Sequence, residues 1–168
     1  MCNHNMRNRI HLLFLLSVRI GVVTALCNIC PFQWTPFGTN CYRLYKEGLS
    51  YDMAEQNCLD LSTYRKEAHL VSINSQEELD FITQLVSNVY RGQWKEIWIG
   101  MRLDSTAQTA TWEDGSDPTA FSYWYGSTTT PVRYGYGDCT LYTISTDKWH
   151  PWWNCNANVP SVCKIDQD

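Results

Sequence analysis

Runs of basic residues are missing from these 168 residues. With 13 Lys and Arg against 17 Asp and Glu, and a formal charge of −4, the chain lacks the clustered cations that follow a phosphate backbone. Nucleic acid is therefore not expected as a partner. Catalytic signatures are missing as well: there is no G-x-S-x-G elbow, no H-E-x-x-H pair and no phosphate-cradling glycine loop. No N-x-Ser/Thr sequon occurs and no segment repeats. Charged residues make up only 18% of the chain against 44% hydrophobic, which excludes a disordered tail. The length suits one domain.

What is present begins with a distinct amino terminus. Arg7 and Arg9 precede a largely apolar stretch from Ile10 to Leu26 without an acidic residue. That order, followed by small residues, is the pattern of a secretory signal. Val23 and Ala25, or Ala25 and Cys27, fit the two small positions before a cut, so residues 1–27 are expected to leave and residues 28–168 to form the domain. The rival reading is an uncleaved anchor that makes the chain a membrane receptor. Arg19 opposes it, at about 2.5–3.5 kcal/mol near a bilayer centre, and Cys30 follows too soon for a stalk. Without Arg7, Arg9 and Arg19 the mature chain holds 10 basic and 17 acidic residues. An acidic, aromatic-rich, extracellular domain with no stable membrane span is expected.

Eight cysteines in a secreted chain imply disulfides. A cut after Cys27 leaves Cys30, Cys41, Cys58, Cys139, Cys155 and Cys163, an even set whose connectivity the sequence leaves open. A cut after Ala25 retains Cys27, free or bonded to a second chain as a disulfide-linked dimer. Cys27 and Cys30 also form a lone C-x-x-C, too little for redox or zinc chemistry.

Cys41–Tyr45 reads as a strand. Ser50 is placed to cap a helix whose Tyr51, Ala54, Cys58 and Leu61 share one face. Leu70–Ile73 is a short apolar strand or extended link. Ser75 and Glu78 stand at capping-box spacing before a stripe of Leu79, Ile82, Leu85, Val86 and Val89, which Arg91-Gly92 ends. Ile97, Ile99 and Met101, alternating with Trp98 and Gly100, predict one buried strand. Thr109–Trp112 predicts another, closed by a Glu113–Ser116 turn. Asp117–Asp138 has no clear period, and a loop so long is usually functional or mobile. Closing strands are expected over Leu141–Ile144 and Val159–Lys164.

Taken in order, these pieces resemble the C-type lectin-like domain family. The resemblance rests on Gly38-Thr39-Asn40-Cys41-Tyr42, Ser50-Tyr51 with Ala54 and Cys58, and Ala68 to Ile73 with Ser75 and Glu77-Glu78. It continues through Trp98-Ile99-Gly100-Met101, Trp112 to Ser116, Tyr123-Trp124, Asp138-Cys139 and Val162-Cys163-Lys164. It spans Cys30 to Lys164. It implies an α+β fold in which two helices flank short antiparallel sheets beside a long irregular loop region. It also implies the pairs Cys30–Cys41, Cys58–Cys163 and Cys139–Cys155.

Sugar-binding members of that family hold calcium on a Glu-Pro-Asn or Gln-Pro-Asp triplet, a Glu two residues before the third-last cysteine, and a Trp-Asn-Asp triplet. Calcium needs six to eight oxygen ligands. Here the corresponding places read Thr130-Pro131-Val132, Gly137 and Trp149-His150-Pro151, so the usual calcium and sugar site is expected to be absent. Asp104, Asp117 and Asp138 remain weak candidates for an auxiliary calcium ion, although exposed turn and strand-end acids need no such role.

The residues left near that surface are aromatic. Tyr134, Tyr136, Trp152 and Trp153, with His150 and Arg133, are the candidate ligand-binding set; Tyr125 lies nearby. Trp98, Trp112, Trp124 and Trp149 are expected in the core. No catalysis is expected. His69 reads as a partly buried structural histidine, and the adjacent acids Glu113-Asp114 and Glu77-Glu78 belong to a turn and a helix cap. The expected function is recognition of an extracellular glycan or protein, with calcium uncertain as a cofactor.

Overall fold

The computed structural model describes residues 30–91, 95–126 and 137–167. Its elements run β1 (Thr35–Phe37), β2 (Asn40–Leu49), α1 (Tyr51–Leu59), β3 (His69–Leu70) and α2 (Gln76–Tyr90), then β4 (Glu96–Ile99), β5 (Met101–Asp104) and β6 (Thr109–Trp112). β7 (Cys139–Thr143), β8 (Lys148–Trp152) and β9 (Val159–Asp166) complete the order. The main sheet is ordered β1-β2-β9-β4-β7-β8, with β3 added on β9, while β5 and β6 form a separate hairpin. Its pairings are antiparallel except β4 with β9, where Trp98 faces Ser161. The last strand thus lies between an early and a middle one.

Both faces of this sheet are covered. Alternate side chains of a strand point to opposite faces, so Ile97 and Ile99 join Tyr42, Tyr142, Trp149 and Val162 under Leu79, Ile82 and Val86 of α2. Trp98 instead joins Cys41, Leu70, Leu141, Cys163 and Ile165 under Tyr51, Ala54 and Cys58 of α1. Trp98, Trp112, Trp124 and Trp149 are all buried, as expected. Among the described residues the disulfides are Cys30–Cys41, Cys58–Cys163 and Cys139–Cys155, the pairing the resemblance implied.

Several expectations are corrected in detail. The strand foreseen through residues 97–101 breaks at Gly100, where a Cβ would collide with the Leu70 carbonyl. The Gly100 N–H goes to Val71 O at 2.9 Å and its carbonyl accepts from Glu113 N at 2.8 Å, so Met101 starts the second hairpin. Ser50 holds the N-cap position of α1, but its side chain makes no cap bond. In α2, Ser75 Oγ accepts from Glu78 N at 3.2 Å, whereas the Glu78 carboxylate reaches back to Asn74 N at 2.8 Å rather than to Ser75. Val89, placed in the apolar stripe by spacing, is exposed. The helix stops at a left-handed Arg91 (φ 49°); Gly92 lies outside the described residues. β1 and β8 had no sequence reading, and β8 carries Pro151, a residue that argues against strand.

Candidate functional site

Strand β8 organises the aromatic surface. Tyr123–Tyr125 runs beside it: Trp149 N donates to Tyr123 O at 3.0 Å and Tyr125 N to Trp149 O at 3.0 Å. Trp149 points inward and meets Trp112 and Trp124 edge-on, each with ring centroids 5.4 Å apart. His150 and Trp152 lie on the opposite side of the strand, as its period of two requires. Tyr125, 63% exposed, stacks on the His150 ring at 4.9 Å with 29° between planes. The His150 Nε2 lies 3.0 Å from Thr146 Oγ1, and partial burial holds its pKa below the ordinary value. Trp152 is half-buried; Trp153 is 70% exposed, its ring 6.4 Å from that of Trp152 and tilted by 33°.

The turn before β8 anchors this segment. Asp147, in the left-handed region at φ 52°, accepts from Tyr142 Oη at 2.5 Å and from Tyr123 Oη at 3.0 Å. Tyr142 also meets Thr83 Oγ1 of α2 at 2.6 Å, and Lys148 Nζ sits 3.5 Å from the Tyr123 ring centre. A helix, a strand and the loop are therefore tied to one carboxylate. Burial, then the Asp147 carboxylate, push the Tyr142 hydroxyl pKa well up.

A second polar region lies across the molecule. A cleft of about 520 Å³ is lined by Asn74, His69, Asp114, Ser116, Lys164 and neighbouring residues. Beneath it, Lys164 Nζ sits 2.7 Å from Glu78 Oε1 and contacts Ser72 O and Oγ at 3.2 and 3.1 Å. The Ser72 hydroxyl donates to Asp114. Burial works against the Asp114 carboxylate, but hydrogen bonds from Ser116 and Ser72 hold its pKa below the usual value. His69 is the partly buried structural histidine expected, with Nδ1 2.7 Å from Glu55 Oε1; burial raises the Glu55 pKa despite that contact. Glu113 pairs with Arg102 Nε at 2.8 Å.

The sequence model described as "Lectin C-type domain" matches residues 47–165. The chain belongs to the C-type lectin domain family. Snaclec 3 of Sistrurus catenatus edwardsii is 34% identical over 139 residues, covering 80% of this chain and 83% of its own length. Echinoidin of Heliocidaris crassispina is 36% identical over 118 residues, or 66% of this chain and 78% of its own. The C-type lectin CEL-I from Cucumaria echinata superimposes with a TM-score of 0.73 at 22% identity, covering 84% of this chain and all of its own.

Within this C-type lectin domain, the candidate residues fall into three groups. His150, Trp152 and Trp153 come together along β8 and after it. Arg133, Tyr134 and Tyr136 lie outside the described residues, as does Thr130-Pro131-Val132. Asp104 and Asp117 are engaged in local turns, Asp104 Oδ1 accepting from Thr106 N and Ala107 N, and Asp117 Oδ1 from Thr119. Asp138 is exposed and its carbonyl accepts from Leu103 N at 2.9 Å. Among the described residues no three His, Cys, Asp or Glu side chains converge as a metal site. No described helix is long and apolar enough to cross a membrane.

Sequence reading missed Gly137's packing role and the Asp147 anchor. A Cβ on Gly137 would run into the carbonyl oxygen of Trp152 and lie 3.0 Å from Trp153 Cα. The Gly137 partners are 15 to 16 residues away in sequence, and Asp147 joins one tyrosine 5 residues off to another 24 residues off, a combination that no local pattern marks.

Proposed function

We propose that the protein is a secreted C-type lectin-like recognition protein that binds an extracellular ligand, without chemistry, through the aromatic face along β8 and without calcium at the family's usual sugar site. The observation that carries the reading is at Gly137. The family's carboxylate position here has no side chain and no room for one, because Trp152 and Trp153 pack against it. Pro151 offers no side-chain oxygen at its triplet position, and His150 turns Nε2 toward Thr146. These residues do not fit a hard cation, which needs several oxygen donors. A structural neighbour described as a calcium-independent type II antifreeze protein (TM-score 0.66, 26% identity, covering 83% of this chain and 96% of its own) supports a fold that stands without the ion.

Residues 1–27 act as a cleaved signal in this reading, and a retained Cys27 would link two chains. In this reading His150, Trp152 and Trp153 lie on the ligand face, and Tyr134, Tyr136 and Arg133, outside the described residues, are candidates from the sequence alone. Large rings with a polar tip are the residues that dominate recognition surfaces. The test is a glycan array and a capture from extracellular fluid, each in calcium and in EDTA, with wild type and Trp153→Ala side by side. Ligand retained in EDTA and lost in Trp153→Ala is expected. Ligand abolished by EDTA would overturn the metal-independent site.

A further inference from the structure

We propose that the Arg65–Lys66 peptide bond, in the connection between α1 and β3, is a processing site for a trypsin-like serine endopeptidase, whose cut leaves two chains joined by Cys58–Cys163. This covalent modification is independent of the ligand face on β8.

Arg65-Lys66 is the only adjacent pair of basic residues in the chain, and it falls in the irregular segment between Leu59 and His69. Tyr64 is 86% exposed. Arg65, also exposed, lies over the Tyr64 ring at 4.8 Å and has no carboxylate partner among the described residues. The specificity pocket of a trypsin-like enzyme is floored by a carboxylate that takes an arginine or lysine side chain. Arg65 can supply that group without first breaking an ion pair. Exposed loops of small and polar residues are the preferred places for nicking. Arg43, Lys46, Arg102, Lys148 and Lys164 instead lie within strands, whose backbone is committed to a sheet.

Little holds this segment in its bend. Thr63 N donates to Lys66 O at 2.9 Å, and the Thr63 hydroxyl accepts from Arg65 N and Lys66 N at 3.4 and 3.1 Å. Lys66 Nζ reaches Asp166 at 3.4 Å, an exposed pair of the kind that contributes little. Opening these contacts extends the backbone for a protease cleft, a local event separate from global unfolding. Water then adds across the bond: its hydroxyl joins the Arg65 carbonyl carbon, its hydrogen joins the Lys66 nitrogen, and the C–N bond breaks with no change in oxidation state. The two pieces stay together, because β2 remains paired with β9 and Cys58 remains bonded to Cys163. Cys30–Cys41 lies wholly on the amino-terminal side of the cut. The new Lys66 amino group adjoins Glu67 and His69, which line the polar cleft.

The experiment exposes the oxidised protein to limiting trypsin without denaturant and maps the cuts by mass before and after reduction. The expected product is heavier by one water, stays a single species until reduced, and then separates into chains that end at Arg65 and begin at Lys66. Arg65→Gln combined with Lys66→Gln, both at the surface, should slow cutting in this segment at least about tenfold while leaving the unfolding transition in place. An Arg65–Lys66 bond that survives until denaturant unfolds the protein overturns the site. Cutting of the segment at an unchanged rate in the double variant overturns Arg65 as the recognised residue. Fragments that part without reduction overturn the joined two-chain product.

Discussion

The Lys164 ammonium lies 2.7 Å from a Glu78 carboxylate oxygen, with the two side chains 10% and 8% exposed. The same oxygen accepts from Tyr42 Oη at 2.6 Å, while the second takes Asn74 N. One ion pair therefore joins β9, β2 and the start of α2. Removing one partner strands a buried charge, so Lys164→Met should cost about 3–5 kcal/mol. The double variant Lys164→Met with Glu78→Leu should recover part of that loss in urea unfolding. A double variant as unstable as the two single losses added would show that the residues act independently.

The Cys58–Cys163 bridge spans 105 residues and ties α1 to the central strand β9. Chain entropy assigns such a loop about 4.7 kcal/mol. Replacing both cysteines by alanine should lower the denaturant midpoint far more than replacing Cys30 and Cys41, which close only 11 residues. Equal losses would show that local packing, not loop length, sets the contribution.

Asp147 gathers two tyrosine hydroxyls, and Tyr142→Phe is expected to cost about 1.5–3 kcal/mol, as for hydrogen bonds to charged groups. Tyr123→Phe, at the longer bond, should cost less. Asp147→Ala should exceed either, since it leaves both hydroxyls without their acceptor. Thermal unfolding ranks the three; a neutral Asp147→Ala would remove the anchor from the account.

Gly137→Glu restores a carboxylate type without restoring the space. The variant should melt lower than wild type, with a loss of about 1–3 kcal/mol from overpacking, and calorimetry should detect no added calcium binding. Calcium binding by the variant at unchanged stability would mean that the Trp152–Trp153 backbone yields readily.

His150 is held below its ordinary pKa by burial, so the unfolded chain, whose imidazole titrates near about 6.5, takes up the proton first. Its contribution to stability is present above that pH and is lost as pH falls below it. Unfolding measured from pH 7.5 to 5.5 should show this slope in wild type and a shallower one in His150→Gln. Identical slopes would assign the dependence to other groups.

Much of the fold was legible because its signals are local. The Ser75 cap, the Leu79–Ile82–Val86 stripe and the alternation around Trp98 each report their environment within a few residues. The family pattern from Cys30 to Lys164 then supplied the disulfides and the order of the pieces. Position 137 was readable, through the family pattern, as a missing carboxylate, and Trp98, Trp112, Trp124 and Trp149 were correctly divided from the more exposed Trp152 and Trp153. The strand β8 was not readable, because Pro151 opposes it; among the described residues Tyr123–Tyr125 on one side and β7 on the other hold it extended.

By itself, the sequence determined the helices, through caps and apolar spacing, while its family resemblance implied helices flanking the sheets and the loss of the usual ligand side chains. The tertiary structure alone decided that Gly100 breaks a strand, that Glu78 caps one residue further back, and that Gly137 lies under Trp152. It also decided that Lys148 lies over the Tyr123 ring and that Asp147 receives the Tyr123 and Tyr142 hydroxyls. Most of these depend on a close approach between atoms far apart in the chain, about which local propensity carries no information; the Glu78 cap, only four residues from Asn74, depends instead on which of two neighbouring N–H groups the carboxylate can reach.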